Sequence, residues 1–150
     1  MTERSLTLTI TTPLDVVARI DGVTSFRASD DSGAFGILPG HADLLAVLRS
    51  CVARWRVGKG EWRFCALHGG LMTVEEGRAI RIACREGVLG TDLASLEARV
   101  QRMREAEAQA ASSERVSQAR LHARAIRQIM RQFSHDHGVS VDSALEEIFQ

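Results

Sequence analysis

The sequence predicts a β + α chain: an N-terminal antiparallel β-sandwich followed by a C-terminal antiparallel two-helix hairpin. Three observations carry this expectation. The hydrophobic period is close to two through residue 86, it becomes helical after Gly90, and glycine-marked turns separate short β-rich runs only in the first part. The resulting division is 1–86 for the sandwich and 87–150 for the helical part.

Leu6, Leu8 and Ile10 alternate with Thr7, Thr9 and Thr11, the pattern of a strand with one face buried. Asp15–Ile20 and Val23–Arg27 read as the next two strands, with Asp21-Gly22 as the turn between them. Cys51–Val57 and Trp62–Leu67 flank Gly58-Lys59-Gly60-Glu61 as a hairpin, and Leu71–Glu75 and Ala79–Cys84 flank Glu76-Gly77-Arg78 as a second. Many short strands with turns between them argue a sandwich or barrel.

After Gly90, Thr91 or Asp92 can cap a helix start. Leu93, Leu96, Val100 and Met103 follow at steps of three and four and share one face. Ser112-Ser113 is the expected break. Beyond it Val116, Ala119, Ala123, Ile126, Met130 and Phe133 form the seam of a second helix, ending near Gly138. Two narrow seams of small side chains satisfy each other and little else, so the hairpin should be able to move or unfold without damaging the sandwich. A Ser140–Gln150 extension places Val141, Leu145, Ile148 and Phe149 on one face of a short amphipathic helix.

Composition excludes several classes. The chain is 45% hydrophobic and 25% charged with a formal net charge of +0, so its overall field attracts neither nucleic acid nor an anionic membrane. No apolar run approaches the ~20 residues of a membrane span, and the first residues lack a signal-peptide core, which reads as cytosolic. Cys51, Cys65 and Cys84 are odd in number and at least fourteen residues apart, so they suit small buried side chains better than a disulfide framework. His135-Asp136-His137 more simply complements a helix dipole than binds metal. No nucleophile–base spacing or phosphate loop points to an enzyme, and no cofactor is expected.

The most specific stretch is Gly33-Ala34-Phe35-Gly36-Ile37-Leu38-Pro39-Gly40-His41-Ala42-Asp43-Leu44-Leu45, a tight backbone excursion presenting Phe35, Ile37 and Leu38. It closely resembles the G-x-x-G-I-x-P-G-H-x-x-L-L signature of ATP synthase epsilon subunits, and Gly69-Gly70-Leu71-Met72-Thr73-Val74 is similar to a second run of that family. Ser32–Asp43 followed by Val52-Ala53-Arg54-Trp55-Arg56 resembles the alternate, N-type branch. Departures are Asp43, where most of the family has proline, and Ala34, where many members carry an acid; Asp30 or Asp31 could replace it.

The resemblance implies a non-catalytic rotor subunit of a proton- or sodium-translocating complex, peripheral to the cytoplasmic face of a bacterial inner membrane. Its partners would be the gamma subunit and the c-subunit ring. Interface candidates are then Phe35, Gly36, Ile37, Leu38, Pro39, Gly40, His41, Leu44 and Leu45. His41 suits either an interface hydrogen bond or a structural role.

Arg120, Arg124, Arg127 and Arg131 step four, three and four along the second helix and make one cationic stripe. By resemblance this stripe would meet an acidic segment of the beta subunit and hold back ATP hydrolysis; the plainer reading is a solvated face. Relatives that bind ATP use an I/L-D-x-x-R-A motif, of which only Asp92 is present, with Ser95 in the arginine position, so Arg124-Ala125 leaves half a site and nucleotide binding is not expected. The alternative function is a stand-alone module using the arginine helix on nucleic acid or an acidic protein, against which net neutrality and the lack of an aromatic stacking platform count.

Overall fold

The computed structural model describes residues 4–137. In chain order these form β1 (Leu6–Thr11), β2 (Val16–Asp30), β3 (Gly33–Ile37), β4 (Leu44–Leu48), β5 (Cys51–Val57), β6 (Arg63–Leu67), β7 (Gly70–Glu75), β8 (Ala79–Ala83), β9 (Gly87–Gly90) and α1 (Leu93–His137). Gly138 as a helix stop, the Ser140–Gln150 helix and the side chains of His135-Asp136-His137 lie outside the described residues. The chain divides into two compact units, Met1–Glu105 and Ala106–Gln150, so the first runs past the change of hydrophobic period at Gly87.

The long strand β2 joins the layers of the sandwich. Its first half pairs with β1, and its second half pairs with β3 and β5. The expected turn at Asp21-Gly22 is instead a bulge within this single strand. Leu6 pairs with Val23 and Leu8 with Ile20, so Asp21 and Gly22 together oppose Thr7. Gly22 takes φ +74°, and the Thr7 hydroxyl donates to Asp21 Oδ1 at 3.1 Å. A second irregularity falls between Val23 and Ser25, where the Thr24 hydroxyl donates to Gly58 O at 2.8 Å. Bulges bend and twist a strand, which lets one chain serve both layers. The two expected hairpins are present as β5–β6 and β7–β8.

Between the layers lies one apolar core. Leu6, Leu8 and Ile10 meet Met72, Val74, Ile80 and Ile82 with Phe26 and Trp55, all at most 1% exposed. The alternation of β1 explains why the threonines face out while the aliphatics are buried.

A continuous helix replaces the expected two-helix hairpin. Asp92 caps its start: its Oδ1 accepts from Ala94 N–H at 3.2 Å, and its backbone carbonyl accepts from Leu96 N–H. Leu96 and Val100, each 4% exposed, pack with Ala66, Val52, Phe64 and Val88 on the outer face of β5, β6 and β9. The first seam therefore has the sheet as its partner and does not need a second helix. A Cβ at Gly90 would lie 3.1 Å from Leu96 Cδ1, so glycine there admits the leucine. Helix also continues through Ser112-Ser113, where Arg115 Nε donates back to Ala111 O at 3.2 Å. Two serines cost a helix only about 1 kcal/mol relative to alanine, too little to break one flanked by good helix formers.

All three cysteines are buried free thiols. Desolvation pushes each thiol up from an ordinary 9.0, and Cys65, further raised by the neighbouring Cys84, reaches about 12. Above pH 9 the unfolded chain releases thiol protons that the folded chain keeps, so folded stability must fall as pH rises from 9 towards 12. With no tyrosine in the chain, thiolate absorbance is a clean readout. We expect the urea midpoint to drop across this window and thiolate absorbance to appear with unfolding.

Replacing Leu96 by alanine should destabilise the unit ending at Glu105 by about 3 kcal/mol in urea denaturation. The same change at exposed Leu121 should cost well under 1 kcal/mol.

Candidate interaction surfaces

The glycine-rich corner is built from two turns locked together. His41 N–H donates to Leu38 O at 3.1 Å, with Pro39 and Gly40 between them and Gly40 at φ +85°. Proline second and a positive-φ glycine third define a type II turn. In the β7–β8 connection Arg78 N–H donates to Glu75 O at 3.0 Å, and Glu76 and Gly77 take φ of 54° and 63°. Gly40 N–H then donates to Gly77 O at 2.9 Å, and Glu76 N–H to Asp43 Oδ1 at 2.8 Å. Asp43 thus supplies an acceptor to the neighbouring hairpin. A Cβ at Gly77 would stand 2.6 Å from Gly40 Cα, so the backbones meet where no side chain fits.

The corner is mostly at the surface, although its residues do not all face outward. Gly36 and Gly40 are exposed, Leu38 is 60% exposed, and Leu45 is 66% exposed. Pro39 and His41 are half-buried, and His41 Nδ1 donates to Ala42 O at 2.7 Å, a bond within its own loop. Phe35 and Leu44 are half-buried against the core. Ile37 is turned inward at 1% exposure, so the expectation that it is presented outward is corrected: strand alternation in β3 sends it into the core.

Two exposed apolar side chains escaped the sequence reading. Val47 on β4 is 71% exposed, and Leu71, directly opposite on β7, is 47% exposed. With Leu45 they make an outward apolar surface, continued by Ala83 opposite Leu71 on β8. The signal was available in Leu44–Leu48, where apolar residues occupy both faces of one short strand.

The acids beside the corner have local partners. The Ser32 hydroxyl and amide donate to Asp30, which holds its carboxyl below the usual range, and Asp31 lies 3.6 Å from Arg49 Nε. In the other unit, Arg120, Arg124, Arg127 and Arg131 are all exposed on α1 and make no ion pair among the described residues. On the same helix Val116 and Phe133 of the second seam are 50% and 61% exposed. Asp92, the surviving residue of the nucleotide motif, is engaged as the helix cap. Among the described residues no three His, Cys, Asp or Glu side chains gather as a metal site.

A family model described as the ATP synthase, Delta/Epsilon chain, beta-sandwich domain matches residues 5–89. That is more than half of the chain. The chain belongs to the ATP synthase delta/epsilon family. It is 49% identical over 142 residues to ATP synthase epsilon chain 2 of Cereibacter sphaeroides, covering 95% of this chain and 97% of that one. It is 46% identical over 134 residues to ATP synthase epsilon chain 2 of Paraburkholderia xenovorans, covering 89% of this chain and 96% of that one. In fold it is similar to a chain in the Euglena gracilis mitochondrial ATP synthase OSCP/F1/c-ring structure, with TM-score 0.54 and 19% identity over 67% of this chain and 64% of that one.

Because backbone fills the space beside Gly77, Gly77→Ala should cost about 3 kcal/mol, the sum of left-handed strain and the clash. Gly58→Ala, at φ +59° with open space around it, should cost only about 1 kcal/mol. Urea denaturation of the two variants separates strain from contact.

Proposed function

We infer that this chain is the epsilon subunit of an ATP synthase, of the alternate type that its sequence resembles; two of its relatives are named ATP synthase epsilon chain 2. It is a non-catalytic rotor component that joins the gamma subunit to the c ring. Family membership supports the subunit assignment. The observation carrying the docking role is the exposed apolar surface of Leu45, Val47 and Leu71 beside a corner fixed by backbone contacts. Apolar side chains at 47–71% exposure gain most by burial against a partner, and a rigid corner loses little entropy on docking.

In this reading the outer face of β4 and β7 takes gamma, while Gly36, Leu38 and Gly40 lie towards the c ring. Half-buried Phe35, Pro39, His41 and Leu44, with inward Ile37, shape the corner from behind. Assembly would place the chain on the membrane periphery at the cytoplasmic face, in keeping with the lack, among the described residues, of a helix long and apolar enough to cross a bilayer. Family membership disfavours the alternative of a stand-alone nucleic-acid module.

The arginine stripe of α1 serves as a brake by meeting an acidic segment of the beta subunit. All four guanidinium groups are exposed and make no ion pair among the described residues, which supports such a contact.

Two measurements test these roles. Leu45→Asp combined with Val47→Asp should reduce copurification with coexpressed gamma at least tenfold while preserving the melting transition; undiminished copurification would place the gamma contact elsewhere. Reversing the charge of Arg120, Arg124 and Arg127 should raise ATP hydrolysis by the assembled enzyme severalfold, and an unchanged rate removes the brake.

A further inference from the structure

Outside the corner and the helix stripe, a second cationic feature sits on the sandwich itself. Trp62 is ringed by three guanidinium groups: Arg56 at 5.1 Å, Arg27 at 5.5 Å and Arg54 at 5.7 Å from its ring centroid. Arg27 and Arg54 are direct cross-strand partners on β2 and β5, and Arg56 follows two residues on, so all three share the outer face. Like charges placed opposite each other on paired strands are destabilising. Exposed cation–π contacts offset only part of that repulsion.

Among the described residues no acid neutralises this cluster. Glu61, next to Trp62 in the chain, and Glu97 make no ion pair with any of the three. The same face opens into a groove of about 630 Å³ between β3, β2, β5 and the first turns of α1. Arg27, Arg54 and Arg104 line it together with Gln101, Phe35 and Leu93, and Glu97 is its one acid. Arg104 is anchored there by donation from its Nε to Ser50 O at 2.8 Å, which fixes the direction of its side chain.

We propose that this groove is a binding site for a soluble phosphate-bearing anion, held by Arg27, Arg54 and Arg104 with Trp62 orienting the first two. Guanidinium forks match phosphate oxygens bidentately, and stacking on an aromatic ring fixes their planes in advance. The concave shape favours a small soluble anion over a flat lipid surface. This site uses neither Asp92 nor Arg124, and it stands whether or not the docking reading holds.

The test uses the full chain and tripolyphosphate as probe. Binding is followed by calorimetry and by fluorescence, since Trp62 is partly exposed while Trp55 is buried. Saturable binding is expected, weakened by salt. Arg54→Gln and Arg54→Lys should each weaken it at least tenfold, the lysine variant because it keeps the charge and loses the fork. Arg120→Gln with Arg124→Gln should leave it unchanged. Absence of saturable binding overturns the proposal, as does equal loss in the helix control or full affinity in Arg54→Lys. Equal affinity for polyglutamate overturns the phosphate assignment, and binding confined to phosphatidylglycerol vesicles overturns the soluble source. Unchanged melting of the variants excludes unfolding as the cause of any loss.

Discussion

The approach of Gly40 to Gly77 is the constraint on which the architecture turns. At this point two backbones touch, with a hydrogen bond of 2.9 Å and no room for a Cβ. The corner that follows β3 is where the chain passes from pairing with β2 to pairing with β7, so it carries the chain between layers. Pinning it to the β7–β8 turn fixes both the crossing and the strand that presents Leu45 and Val47. Asp43 extends the pin by accepting from the Glu76 amide, whose residue occupies a left-handed conformation that a β-turn alone would leave strained. The fold and the exposed apolar surface of β4 therefore share one local cause.

A second consequence concerns the helix. Its first apolar residues, Leu96 and Val100, are buried on the outer sheet face over Ala66, and Gly90 leaves the space that Leu96 needs. Further along, the seam that includes Val116 and Phe133 remains substantially exposed. The two halves of α1 thus have different energetic status. The first is part of the sandwich unit, and the second carries four exposed arginines that make no ion pair among the described residues.

Much of this was legible in sequence where a local rule decides the outcome. Alternation in Leu6–Thr11 identifies a half-buried strand, and the glycine turns at Gly58–Glu61 and Glu76–Arg78 identify two hairpins. Asp92 was one of two caps considered. The corner was recognisable as a tight turn because Pro39-Gly40 has one strongly favoured geometry. What failed needed tertiary information. Asp21-Gly22 looks the same as a turn or as a bulge, and only the single residue Thr7 opposite it decides. Ile37 was taken as outward because glycines surround it, whereas pairing of β3 with β2 points it inward. Two seams of similar period suggested partner helices, because a sequence cannot say that the first seam has a sheet to pack on. The cluster of Arg27, Arg54 and Arg56 around Trp62 comes from three strand-associated segments and had no contiguous signal.

In the proposed function the corner and the outer face of β4 and β7 dock on the rotor. Hydrogen–deuterium exchange of the chain alone and within the assembled complex addresses it most directly. Amides of residues 36–47 should gain protection on assembly, while those of β1, β7 and β8, already paired on both sides, should change little. Equal exchange of residues 36–47 in the free and assembled chain would contradict the account.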